Sequence, residues 1–317
     1  MKITEHIAQA NKTLVSFEIL PPLKGKSIGS IYEHLDTLME FKPSWVNVTY
    51  HRSETAYKKK ADGSFEKIEI RKRPGTVGIC AAIMNHYKID AVPHIICGGF
   101  AMRETEDALI DLNFLDIDNV LIIRGDAAKN ESFFDPEPGG HVYAIDLLKQ
   151  VANLNHGIYL DDDIRNGGKT NFCIGVAGYP EKHYEAPNKD IDLKRLKEKV
   201  DAGAEYIMTQ MFFDNQKYFD FVDACRKNGI NVPIIPGLKP ISSKKQLSFL
   251  PRIFHVDIPN DLSEAILKCK TDDDCEIAGT EWLIAQSKEL IKFGAPVLHY
   301  YTLGKPSIIR NVVKEIL

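Results

Sequence analysis

A chain of 317 residues, 44% hydrophobic and 26% charged, is long enough to bury a sizeable core and has the balance of an ordinary globular protein. Its net charge of -4 excludes a basic nucleic-acid surface and a polybasic membrane anchor. The first thirteen residues, with Glu5, His6, Gln9 and Asn11, lack the apolar stretch of a signal peptide, and no segment approaches membrane-spanning length. After a short N-terminal helix, the first strand is expected over residues 14–20 and contains Glu18 within Val15-Ser16-Phe17-Glu18-Ile19-Leu20, followed by Pro21-Pro22. A carboxylate in a strand fit for burial costs free energy unless it is paired, protonated or used. Ile31, Leu35, Leu38 and Met39 mark a helix, and a second strand runs over 45–50. Residues 52–76 form an insertion with a tight turn at Asp62-Gly63 and an alternating flank at Phe65, Ile68 and Ile70. It reads as a hairpin that rises beside the second strand's end as a candidate lid. Strands over 91–97, 119–124, 172–178, 206–212, 233–238 and 296–302 follow. Between them lie helical patterns at Ala108 to Leu115, Ile145 to Ala152, Leu193 to Val200 and Phe219 to Cys225. Residues 157–170, with Asp161-Asp162-Asp163 and Gly167-Gly168, read as a flexible loop or hairpin on the opposite side.

Near-continuous apolar strands alternating with helices argue for a parallel sheet covered by helices, and about eight such units favour an α/β fold of the closed (β/α)8 TIM-barrel type over an open sheet. No Gly-x-Gly-x-x-Gly follows the first strand, which weakens the open alternative further. The whole chain, 1–317, is expected to be one domain with an added N-terminal helix and two loop insertions. Barrel geometry places catalytic groups at the C-terminal strand ends, so Glu18, Thr49, His94, Arg124, Asp126, Tyr179, Gln210 and Tyr300 are expected to converge on one mouth. Six scattered cysteines read as reduced thiols of a cytoplasmic protein. Cys269 and Cys275 flank Thr271-Asp272-Asp273-Asp274, a helix start rather than a metal loop, and no metal site is expected.

The chain resembles the methylenetetrahydrofolate reductases, flavin enzymes of one-carbon metabolism that supply methyl groups for methionine synthesis. The resemblance rests on an ordered set of segments covering nearly the whole chain: Ser16-Phe17-Glu18 with Pro21-Pro22, Val48-Thr49-Tyr50, Pro93-His94, Arg124-Gly125-Asp126, Ala177-Gly178-Tyr179-Pro180-Glu181 with His183 and Glu185-Ala186, Lys199 to Ala204, Thr209-Gln210 with Phe212-Phe213-Asp214, Ile235-Pro236-Gly237, and Tyr301-Thr302-Leu303. It implies FAD across the mouth. Thr49, Tyr50, His94, Arg124, Gly125 and Asp126 would line the ring and ribityl chain. Tyr143, Ala144, Ala177, Tyr179, His183, Ala186, Asp192, Arg195 and Lys199 would hold the ribityl, pyrophosphate and adenosine parts.

The resemblance also implies ping-pong chemistry, in which NADH or NADPH reduces the flavin, leaves, and 5,10-methylenetetrahydrofolate takes its place. Opening the folate's imidazolidine ring requires a proton on the departing nitrogen, and Glu18 is the expected general acid, its pKa raised by burial and a neighbouring carboxylate, with Asp126 the candidate neighbour. Asp126 and Gln210 are expected to contact the pterin, Gln210 also serving the nicotinamide, and Gln246 to contact the folate. Lys305 stands where many relatives carry Arg and would meet the glutamate tail as a point charge, and Leu250 stands where some carry a Phe stacked near the nicotinamide. Control by S-adenosylmethionine is not expected, and a homo-oligomer is. Two other readings stay open: a flavin- or folate-binding barrel without turnover, and a barrel lyase or aldolase, for which no strand-end lysine and no metal-spacing set is found.

Overall fold

The computed structural model describes residues 1–127, 133–302 and 304–317. Its strands in chain order are β1 (Leu14–Ile19), β2 (Trp45–Val48), β3 (Glu54–Lys59), β4 (Phe65–Ile70), β5 (Asp90–Ile96), β6 (Asn119–Ile123), β7 (Cys173–Gly178), β8 (Tyr206–Met211), β9 (Ile234–Leu238) and β10 (Val297–Tyr301). Eight of them close into a parallel barrel in the order β1-β10-β9-β8-β7-β6-β5-β2, while β3 and β4 form a separate antiparallel pair. The expected TIM barrel is thus present. The helices are α1 (Ile3–Gln9), α2 (Gly29–Asp36), α3 (Thr76–Tyr87), α4 (Met102–Phe114), α5 (Ala144–Asn155), α6 (Lys189–Asp201), α7 (Asn215–Lys227), α8 (Gln246–Phe254), α9 (Asn260–Lys268), α10 (Asp272–Phe293) and α11 (Pro306–Ile316). None is long and apolar enough to cross a membrane, among the described residues.

Alternation along the strands sorts side chains into two cores. Val15, Phe17, Ile19, Val46, Val48, Ile95, Val120 and Ile122 face outward and bury against the helices. Trp45, Val92, Leu121, Cys173, Tyr206, Met208, Ile235 and Val297 fill the lower barrel, and Ile3 of α1 packs with them, so the N-terminal helix closes the floor. Glycine at 175 makes room for that filling, since a Cβ there would lie 2.1 Å from Cζ of Tyr206.

Three excursions leave the barrel. The β3–β4 hairpin turns at Asp62-Gly63 as expected, with the Asp62 carboxylate accepting from the backbone of Ser64 at 2.9 Å. Its base is tied to the β1 end by Lys24 N donating to the Lys72 carbonyl (2.8 Å) and by Arg73 donating to the Pro21 carbonyl. The segment 157–170 is an irregular pinned loop rather than a hairpin: Leu160 N donates to the Glu106 carboxylate at 2.8 Å, and the Tyr159 hydroxyl to the Gly168 carbonyl at 2.7 Å. The third excursion, α8 and α9 between β9 and α10, was not anticipated and carries its own cluster of Met211, Phe213, Ile241, Leu250, Val256, Leu262, Ile266 and Cys275. Cys275 belongs to a helix start, as expected. The Thr271 hydroxyl accepts from Asp274 N at 3.1 Å, and the Asp274 carboxylate accepts in turn from Thr271 N at 2.9 Å. All six cysteines are free, and no cluster of metal-ligating groups occurs among the described residues.

Candidate active site

Glu18 lies on the inward face of β1, level with Asn47 of β2 and Tyr301 of β10, and is 6% exposed. Its Oε2 is 3.3 Å from Nε2 of His94 and 3.7 Å from Nε2 of His299. His94 Nε2 also lies 3.4 Å from the Asn47 amide nitrogen, a donor, and His299 Nδ1 lies 2.8 Å from the Ser16 hydroxyl. Burial pushes the Glu18 carboxyl up to about 7, against the opposing pull of His94. Burial also lowers His94 and drives His299 down to about 3. Both shifts favour the uncharged forms, a protonated Glu18 beside a neutral His94, and so an acid poised near neutrality. The expected neighbouring carboxylate plays no part in this. The titratable neighbour of Glu18 is His94, while Asp126 is an exposed residue whose field reaches His51 and Tyr179 instead. The Glu18 backbone is fixed by Thr302, whose hydroxyl donates to the Glu18 carbonyl at 2.7 Å and whose amide donates to it at 3.2 Å.

The residues assigned to a dinucleotide flavin lie on or after β2, β5, β6 and β7, neighbours in the barrel, and at α5 and α6. Thr49 and Tyr50 follow β2, and the Arg124 guanidinium lies over the Phe134 ring, 5.1 Å from its centroid. Arg124 holds Glu185 through two bonds of 2.6 and 2.8 Å, which keep the Glu185 carboxyl down at about 2. Tyr179 is half-buried with the His183 ring edge-on at 4.7 Å, His183 N donates to Asp192 at 2.9 Å, and Ala186 is buried. Beside them is a cavity of about 250 Å³ whose lining includes Ala177, Tyr179, Lys182, Asp192 and Lys199. Burial lowers the Lys199 ammonium to about 8, with Asp192 opposing, and its Nζ donates to the Ala177 carbonyl at 3.4 Å. Tyr143 and Ala144 sit exposed and half-buried at the start of α5, and Arg195 is exposed on α6, outside that lining.

On the other side of the mouth, Gln210 has the inward phase of Met208, and its Oε1 accepts from Met211 N at 2.9 Å, leaving its N–H donors for a ligand. Gln246 opens α8 and accepts from Ser242 N at 2.7 Å, and Lys305 pairs with Glu276 of α10. Leu303, between Thr302 and Gly304, lies outside the described residues. Two expectations are corrected here, that of Tyr300 at the mouth and that of no strand-end lysine. Tyr300 faces outward, buried against α10 with its hydroxyl 2.8 Å from that of Ser287, because its strand neighbours His299 and Tyr301 take the inward positions. Leu250, at the position where some relatives carry a Phe, packs in the α8–α9 cluster. A strand-end lysine does exist: Lys239, immediately after β9, is 7% exposed. Ser16, Asn47 and His299 join the site without having been expected there, although each lies two residues from a polar group on the same face, a period-two signal carried by the sequence.

A family model described as methylenetetrahydrofolate reductase matches residues 2–317. The "Methylenetetrahydrofolate reductase 1" of Schizosaccharomyces pombe is 29% identical over all of this chain, which spans 48% of that protein's length. The "5,10-methylenetetrahydrofolate reductase" of Pectobacterium carotovorum is also 29% identical, over 93% of this chain and 87% of the relative. Among solved structures, an uncharacterised Clostridium thermocellum protein described as binding two copies of 5-methyl-5,6,7,8-tetrahydrofolic acid shares the fold, with a TM-score of 0.56 at 15% identity over 98% of this chain and 97% of that one. With a family match along essentially its whole length, the chain belongs to the methylenetetrahydrofolate reductase family.

Proposed function

We propose that the protein reduces 5,10-methylenetetrahydrofolate to 5-methyltetrahydrofolate with NADH or NADPH in a ping-pong reaction through FAD. The observation that carries this is Glu18, a carboxylic acid held protonated near neutral pH at the barrel mouth by burial and faced by a neutral histidine. The donor set fits FAD: cationic Lys199 and Lys182 with Asp192 border a cavity suited to a nucleotide, and Arg124, Gly125 and Asp126 follow the adjacent strand. When bound, the flavin supplies a two-electron carrier that accepts hydride from the nicotinamide and returns it to the folate. Glu18 gives its proton to the departing folate nitrogen, so that the ring opens to an iminium, and the vacated carboxylate faces His94. Gln210 orients the pterin and then the nicotinamide, and the exposed Asp126 carboxylate faces the cationic intermediate. The β3–β4 hairpin, anchored at the β1 end, is the candidate lid of this reaction.

The purified protein is expected to show a flavin visible spectrum and parallel double-reciprocal lines for nucleotide and folate. A colourless protein that takes up no FAD, or intersecting lines, would overturn the reading. Lys239 favours a second reading, a Schiff-base lyase, because burial lowers its ammonium to about 8. Borohydride reduction with a keto acid that leaves no covalent adduct sets that reading aside.

A further inference from the structure

One cation at the mouth is accounted for neither by the acid network nor by the cofactor residues. Lys239 has the phase of Ile235, which lines the barrel floor, and of Gly237, which faces the Tyr301 ring, so it stands one level further toward the mouth. It is 7% exposed, and its Nζ makes one hydrogen bond, 3.0 Å to the carbonyl of its neighbour Pro240. No carboxylate pairs with it among the described residues. The charge that reaches it is another cation, Lys305, on the turn after β10. Burial and that repulsion bring the ammonium down to about 8, so it remains charged at neutral pH. A buried ammonium without an anion is expensive, and a methionine of similar length would fill the space without the penalty. Lys305 is half-exposed and held by Glu276, a surface pair that a ligand can exchange at little cost. Gln246, its Oε1 spent on Ser242, offers its N–H donors from the same β9–α8 connection.

We propose that Lys239 completes a two-ammonium seat for the carboxylates of the folate's glutamyl tail, taking the inner one while Lys305 meets the outer one as the resemblance implies. This rests on the folate reading above and adds to it a residue that fixes the tail from beneath. Two separate point charges on different strand ends match the two carboxylates of one glutamyl residue. A phosphate would call for donors converging on one centre or for a guanidinium fork.

The test is equilibrium binding to the holoenzyme of 5-methyltetrahydrofolate and of 5-methyltetrahydropteroyl methylamide, which keeps the pterin and aromatic ring but has no carboxylate. Lys239→Met is expected to weaken the first by about tenfold or more and the second by less than about twofold. Lys305→Gln gives a smaller loss with the same selectivity, and the thermal melt of Lys239→Met stays at or above that of the native chain, since an uncompensated buried charge is gone. Equal losses for both ligands, or none for either, would overturn the seat while leaving the folate reading intact. A loss confined to NADPH would assign the seat to a nucleotide phosphate and overturn it likewise. A native protein that binds neither folate derivative would overturn the seat and the proposed reaction together.

Discussion

Glu18 can protonate a substrate only while it holds its own proton, and the burial that raises its pKa to about 7 sets the window. The folate half-reaction should therefore fall as pH rises through about 7, while reduction by the nicotinamide, which needs no proton from Glu18, should not follow that profile. Glu18→Gln should cost roughly a hundredfold or more in folate-dependent turnover and leave the nicotinamide half within about tenfold, as read by stopped-flow absorbance. Equal losses in both halves would make Glu18 structural. The same residue carries a stability signature. Its folded value lies above its ordinary 4.5, so the unfolded chain releases the proton first, and the penalty for the buried carboxylate grows between about 4.5 and 7 and is full above it. Glu18→Gln should be more stable than the native chain at pH 9, on the order of 2 kcal/mol, and the gain should vanish at pH 4, in urea titrations at the two pH values.

Among the elements, α10 shows how backbone contact fixes the mouth from outside. A glycine in the middle of a helix costs about 1 kcal/mol relative to alanine, yet Gly279 is buried where a Cβ would lie 1.8 Å from the carbonyl oxygen of Ile241. The helix backbone rests directly on the segment joining Lys239 to Gln246. Gly279→Ala should therefore push that segment inward or α10 outward, costing roughly 2–4 kcal/mol and raising the folate KM more than the nicotinamide KM. Unchanged melting would show that the loop moves freely. This contact was not legible in the sequence, because α8 and α9 are short, polar-faced helices around Pro251 and Pro259 that present no long apolar period. The barrel strands were legible because strands buried on both faces read as continuous apolar runs. Individual site residues were less so: Glu18, His94 and Gln210 stood out by chemistry, whereas separating His299 from Tyr300 required the phase of the strand, and a one-residue error sends a side chain to the opposite face.

At the scale of the whole molecule, floor and mouth are separate layers. Ile3 seals the interior against Trp45 and Val92, and the Asn119 side chain accepts from Ile3 N at 2.8 Å. Removing residues 1–9 should cost roughly 3–5 kcal/mol by exposing that layer, while kcat of the folded fraction stays near the native value. A drop in kcat at full folding would show that the layers are coupled. The position of Glu18 at the seam of the barrel has a further consequence. Its strand is the first of the barrel and pairs with the last, and the Thr302 hydroxyl that holds its carbonyl lies 284 residues away in sequence. During synthesis the acid therefore emerges early and waits, solvated and ordinary in its acidity, until residues 297–302 have left the ribosome. Only the final strand closes the wall around it, so the unusual acidity is acquired in the last act of folding, and a chain released before residue 297 would lack the strand that closes the barrel around its acid.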